Sequence, residues 1–125
     1  MILLLDAHVA LWALGEPEKL APPVLASLAN PANAVLVSAG SVWEIEIKRA
    51  LGKLRTESDL LAALDAAQID LVPITAADAV TAARLPAHHR DPFDRILVAQ
   101  AGRLDATIVS RAAVFDRYGT PRLPA

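Results

Sequence analysis

Four carboxylates in this sequence have the placement to do chemistry: Asp6, Glu44, Asp91 and Asp94. Asp6 closes a continuous apolar run over residues 1–5. Glu44 follows a second apolar run, at 34–37, and Asp91 and Asp94 precede a third stretch, at 106–110. Gathering carboxylates raises each neighbour's pKa and costs free energy unless a cation intervenes. Hard divalent cations such as Mg²⁺ bind carboxylate oxygens and retain several waters, so a cluster of this kind is the donor set they require.

Each acid also has a structural reading. Ser41 and Glu44 have the spacing of a capping box, and Glu44 lies four residues before Lys48, a helix-stabilising ion pair. For Glu44 the two readings carry about equal weight. In Asp91-Pro92-Phe93-Asp94 the first residue suits a helix N-cap, the proline the first helical position and Asp94 the third, so Asp91 reads as a cap before it reads as a ligand. Asp6 resists such explanation, because a carboxylate ending an apolar strand is partly buried and a buried charge needs a partner. Arg90 and Arg95 flank the acidic helix start and are the candidates for holding phosphate. His8, His88 and His89 lack the spacing of a zinc site, and Trp12 and Trp43 read as core or interface residues. The chain has no glycine-rich phosphate loop, no Ser-His-Asp set and no nucleotide fingerprint.

The elements that must position these residues alternate. Strands are expected at 1–5, 34–37, 69–73 and 106–110, with Arg122 and Leu123 adding an edge strand. Helices are expected at 9–14, from Glu16-Pro17 to 28, at 42–51 after a turn at 38–41, at 58–67, at 76–85, from Asp91-Pro92 to 104, and briefly at 113–118. Strands alternating with helices imply an α/β fold whose parallel sheet is covered on both faces. In such sheets sites form at the carboxyl ends of strands, where Asp6, Glu44, Asp91 and Asp94 all fall.

The 125 residues fit one domain, 1–125, without repeats or linkers, and 54% apolar with 21% charged residues is a globular composition. The absence of cysteine excludes a disulfide scaffold and a thiolate metal site, and it suits a reducing cytoplasm. The apolar N-terminus lacks a basic flank and is interrupted by Asp6 and His8, so it is not a signal peptide. No run approaches the roughly 20 apolar residues that span a bilayer, so a cytoplasmic protein without a membrane partner is expected. A net charge of −2 argues against holding nucleic acid by bulk charge, leaving room for a local basic rim.

LLLDAHVALWAL, VSAGSVWEIEIKRALGKL and LPAHHRDPFDRILVAQA resemble, in order and spacing, PIN-domain ribonucleases, the VapC-type toxins of VapBC toxin–antitoxin systems. The resemblance spans nearly the whole chain, and WEIEIK and HRDPFDR are its specific part. It implies a three-layer α/β/α sandwich around a parallel sheet of four to five strands. It further implies Mg²⁺ or Mn²⁺, cleavage of RNA phosphodiesters by in-line attack of activated water, and a cognate VapB-type antitoxin whose tail occupies a groove. Asp6, Glu44 and Asp94 match the family's catalytic, metal-binding acids, and Asp91 belongs to the local motif with a less direct claim on the metal. Ser110 would support water on the metal. Together with the apolar content, the resemblance points to a homodimer, with Trp12 and Leu14 among the groove walls.

One position departs from the family. The pattern T-x-D-x-x-F-x-x-Y reads here Ser110-Arg111-Ala112-Ala113-Val114-Phe115-Asp116-Arg117-Tyr118, with Ala112 where the acid belongs. Asp116, a full helical turn on, is a poor substitute. A weakened or inactivated nuclease is therefore expected. Two rivals stand beside it. One is a non-catalytic PIN-like module that binds antitoxin or RNA. The other is a haloacid-dehalogenase-type phosphatase, which wants a second acid at position 8, where His8 stands.

Overall fold

A computed structural model of the chain describes residues 1–54 and 59–125. Five strands, β1 (Ile2–Leu5), β2 (Ala34–Ser38), β3 (Asp70–Val72), β4 (Thr107–Ser110) and β5 (Arg122–Pro124), form one sheet in the order β3-β2-β1-β4-β5. Every pairing is parallel; in the centre, Leu5 lies opposite Val37 on one side and Val109 on the other. The helices are α1 (Ala7–Gly15), α2 (Pro22–Ala29), α3 (Ala39–Ala50), α4 (Leu60–Ala66), α5 (Ala76–Arg84) and α6 (Pro92–Leu104), with 3₁₀ turns at Pro17–Lys19 and Ala113–Tyr118.

Side chains alternate across β1, and both faces are buried, which is why its sequence, Ile-Leu-Leu-Leu, is unbroken aliphatic. Leu3 and Leu5 join Val9 of α1, Val24 of α2 and Leu64 of α4 in one core. Leu4 and Ile108 join Leu97, Val98 and Ala101 of α6 in the other. Full burial of each such side chain stabilises the fold by about 1.5–3 kcal/mol. The result is the expected three-layer α/β/α sandwich, with all five strands present.

Two local expectations are corrected. The helix foreseen from residue 16 to 28 is split, because Pro22 and Pro23 lack N–H donors; α2 starts afresh with proline in its first turn, behind the 3₁₀ turn. Residues 38–41 are not a turn. Ser38 is the N-cap, its Oγ accepting the Gly40 N–H at 3.0 Å, so α3 begins three residues early and Ser41 lies buried within it. The capping box of Ser41 and Glu44 is therefore not formed. The short helix expected at 113–118 is present and winds as 3₁₀. The expected start of a helix at Ser58 lies outside the described residues; α4 is capped by Asp59, whose carboxylate accepts the Leu61 and Ala62 N–H groups.

Two contacts fix the helices that carry the acids. At Gly40 an added Cβ would stand 3.3 Å from Ile74 Cδ1 and 3.7 Å from Ile96 Cγ2, so the start of α3 seats closely on α6. On the far side, Arg103 of α6 donates to the buried Asp78 of α5 through Nε at 2.8 Å and Nη2 at 2.9 Å. The guanidinium holds the Asp78 carboxyl below its ordinary value against the opposing effect of burial. Its contribution to stability is thus present above the unfolded-state pKa and lost as pH falls through the folded one. Arg103→Gln should lower the melting temperature at pH 7, and the gap to the parent should narrow at acid pH as Asp78 takes up its proton. A gap that stays constant down to pH 3 would show that the ion pair is not what the variant loses.

Candidate active site

The acids stand at one edge of the sheet because each begins, or lies in the first turns of, a helix that follows or precedes a strand's carboxyl end. Asp6 is the N-cap of α1: Oδ1 accepts the Val9 N–H at 2.8 Å. Its other oxygen accepts a hydrogen bond from Ser110 Oγ at 2.5 Å, joining the ends of neighbouring strands β1 and β4. Ser110 is buried. Its Oγ also accepts the Ala112 N–H at 3.0 Å, so position 112 lies one residue-length from the Asp6 pair. Ala112 itself is exposed and makes no side-chain cap for the 3₁₀ turn it precedes.

Asp91 caps α6, accepting the Phe93 N–H at 2.8 Å and the Asp94 N–H at 3.1 Å, with Pro92 in the first turn as the sequence suggested. Glu44 pairs with Lys48 at 3.0 Å. Asp94 is partly buried, and burial raises its pKa above the usual carboxylate value. The negative charges of Asp91 and Glu44 raise it further, while a hydrogen bond with His89 opposes them. His89 Nε2 lies 2.7 Å from Asp94 Oδ2. His89, Asp91 and Asp94 each offer one ligand atom, all within 4.8 Å of one another. Burial and the charges of Asp91 and Glu44 leave Asp94 short of positive charge, and the carboxylates of this group fit a hard divalent cation.

The structure thus gathers Glu44, Asp91 and Asp94 into one electrostatic group and binds Asp6 to Ser110 beside position 112. It does not place Arg95 at a phosphate site, and that expectation is corrected. The guanidinium is spent on backbone carbonyls: Ala82 at 3.1 Å, Pro86 at 3.1 Å, His89 at 3.1 Å and Leu85 at 2.8 Å. Arg90 remains exposed beside the cluster. Asp116 is bound by Arg122 through both oxygens, at 2.9 Å each, and is not free to replace the acid missing at position 112. His89 is the site residue that sequence reasoning passed over. Its only sequence signal is that it stands five residues before Asp94, in a loop whose path could not be read. Trp43 and Phe93, each immediately before a site acid, stack edge to face at 5.4 Å, with Trp43 63% exposed at the rim.

A sheet of this topology with acids at its carboxyl edge has known counterparts. The chain matches the PIN domain family over residues 3–121. No curated protein matches it at the sequence level. Among solved structures it is similar to VapBC2 from Rickettsia felis bound to a DNA fragment from their promoter, with a TM-score of 0.73 and 16% identity over 99% of this chain and 98% of that one. It is also similar to DNA-bound VapBC from Salmonella typhimurium, with a TM-score of 0.67 and 15% identity over 98% of this chain and 96% of that one. A third is FitAcB from Neisseria gonorrhoeae, with a TM-score of 0.62 and 20% identity over 98% and 96% of the two chains. The chain belongs to the PIN-domain family. The solved structures share with it the three-layer fold that the resemblance in the sequence implied.

The electrostatics carry a sign that can be measured. Asp94 has a folded pKa above its unfolded one, so its charge opposes folding at neutral pH, and this penalty disappears as pH falls below the unfolded value. Asp94→Asn should raise the metal-free melting temperature at pH 7, and the advantage should fade towards pH 4. A variant less stable than its parent at pH 7 would mean that Asp94 is a structural anchor.

Proposed function

We propose that this chain is a divalent-metal-dependent endoribonuclease of the VapC toxin type, neutralised by a VapB-type antitoxin. The observation that carries the reading is the condition of Asp94: a partly buried carboxyl raised by burial and by Asp91 and Glu44, at the sheet edge where α/β sites form. In this reading Asp6, Glu44 and Asp94 hold Mg²⁺ or Mn²⁺, and Asp91, committed to its cap, helps through its charge. When bound, the ion supplies a water of lowered pKa and offsets charge developing on the phosphodiester.

The residues divide the remaining work. Ser110 fixes one oxygen of Asp6 and so sets the rotation of that carboxylate. Glu44 orients or accepts a proton from water. Arg90 steadies the RNA phosphate. The whole of 1–125 acts as a single domain, as a homodimer in the cytoplasm, where its RNA substrate lies; no helix among the described residues is long and apolar enough to cross a membrane. The antitoxin tail has a candidate seat in a groove of about 460 Å³ lined by His8, Leu11, Trp12, Leu14 and Leu60 among others. Arg111 stacks on the Trp12 ring at 4.2 Å and lends that wall a positive charge. The groove's lining includes His8, two residues past Asp6 in the chain. An apolar segment in such a groove is a common recognition mode.

Ala112 favours the second reading, a PIN module that binds without cutting. The family match leaves the phosphatase reading without support. One pair of measurements separates the first two. Millimolar Mn²⁺ should raise the melting temperature of the parent chain, as binding to the native state must. Asp6→Asn should abolish that rise while keeping the fold, because asparagine caps a helix about as well as aspartate. A melting temperature indifferent to Mn²⁺ would sink the metal site. Ala112→Asp should then tighten Mn²⁺ binding and raise RNA cleavage by about 10²–10³, the usual worth of one well-placed electrostatic group. If the aspartate changes neither, the non-catalytic reading stands.

A further inference from the structure

We propose that His89 is a positioning residue for the acidic site: it holds the Asp94 carboxylate by one oxygen, and Arg95 and Tyr118 hold the loop that carries it. The inference rests on the reading of Asp94 as a metal ligand and adds what aims that ligand.

The chain between the end of α5 and the start of α6 has no helix or strand of its own. A free loop of this kind would leave its carbonyls to water and His89 without a fixed direction. Instead the loop is enclosed by two side chains. Arg95 Nη1 donates to the Pro86 and His89 carbonyls, both at 3.1 Å, while Nη2 donates to the Leu85 carbonyl at 2.8 Å. The Tyr118 hydroxyl donates to the Pro86 carbonyl at 2.8 Å and accepts the His89 N–H at 3.0 Å. The His88 ring meets the Tyr118 ring edge to face at 5.1 Å. The His89 backbone is thus held at both ends of its own residue, N–H by a phenol and C=O by a guanidinium.

The bracket closes on the site it serves. Arg95 is the residue after Asp94 on α6, so the side chain holding the loop and the carboxylate it addresses share one helical turn. His89 then reaches back, with Nε2 at 2.7 Å from Asp94 Oδ2. With Nε2–H donating, Oδ2 is engaged and the rotation of the carboxyl group is set, leaving Oδ1 for a cation. A ligand carboxylate whose second oxygen is hydrogen-bonded is the usual arrangement of metal sites, and loss of such a partner typically costs 10–100-fold in metal affinity. Tyr118 sits in the 3₁₀ turn that starts directly after Ala112, anchored by the buried Phe115. The last part of the chain therefore helps to set the Asp94 side of the site without contributing an acid to it.

The test is Mn²⁺ affinity, measured by titration calorimetry on the full chain, together with metal-free melting. His89→Ala should weaken Mn²⁺ binding roughly 10-fold or more, with little change in metal-free melting temperature. His89→Gln, whose Nε2 can donate to the same oxygen, should recover most of the loss. Tyr118→Phe should weaken binding in the same direction by a smaller factor. If His89→Ala binds Mn²⁺ as the parent does, or loses stability with affinity unchanged, the positioning role is overturned while the metal site survives. Nitrogen coupling to bound Mn²⁺ in pulsed electron paramagnetic resonance, lost in His89→Ala, would make His89 a direct ligand and also overturn it. A parent that binds no Mn²⁺, even with Ala112→Asp, overturns the reading of the site and this inference together.

Discussion

Carboxylates repel one another, and this fold gathers several at one sheet edge. What makes that tolerable is that each acid has a local partner of its own. Asp6 and Asp91 cap helices and accept backbone N–H groups. Glu44 answers Lys48, and Asp94 answers His89. Helix N-termini carry partial positive charge, worth typically 0.3–1 kcal/mol per nearby anion. The edge where α1, α3 and α6 begin is thus the part of the molecule best able to accept negative charge. The residual strain collects at Asp94, whose carboxyl is raised by burial and by the charges of Asp91 and Glu44.

This division explains why the fold was more legible than the site. Continuous apolar runs fixed β1, β2 and β4 to within a residue or so, since strands buried on both faces leave little else for a sequence to say. The Asp91-Pro92 helix start was also legible, because capping is local chemistry. Where capping had competitors, local reading failed. Ser41 has the spacing of an N-cap, but Ser38 takes the role, its Oγ accepting the Gly40 N–H, and Ser41 is buried inside the helix. Arg95 misled for a related reason. An arginine beside acids suggests phosphate, yet its carbonyl partners belong to α5 and to a loop, and their convergence on it is a tertiary fact. His89 was hidden by the same loop.

The acids of the site fall into two parts with different supports. Asp91 and Asp94 lie on α6, which is tied to α5 by the Asp78–Arg103 pair and to the loop by Arg95. Asp6 lies on the other part, at the junction of β1 and β4, and its supports are the Val9 N–H on one oxygen and the Ser110 hydroxyl on the other. α3 packs on α6, and the Glu44 charge raises the Asp94 carboxyl across that packing. The same two helices feed the cores, Ile45 of α3 entering one and Leu97 of α6 the other, so the acids ride on elements that the cores hold in place.

The altered position belongs to the Asp6 part, and its physical consequences run in opposite directions. Ala112 is exposed and contributes nothing to either core, so the fold is indifferent to its being alanine. It is also the N-cap of a 3₁₀ turn that has no side-chain cap. An aspartate there would gain a cap, typically worth about 0.5–2 kcal/mol, and would at the same time add a negative charge beside the Ser110–Asp6 pair. Without a cation these effects oppose each other; with one, the repulsion is relieved and only the gain remains. Alanine removes both terms. On the proposed function, such a chain keeps its architecture and its groove while giving up the acid that the Asp6 side of the site would otherwise add, so binding a partner and cutting RNA would be separable properties.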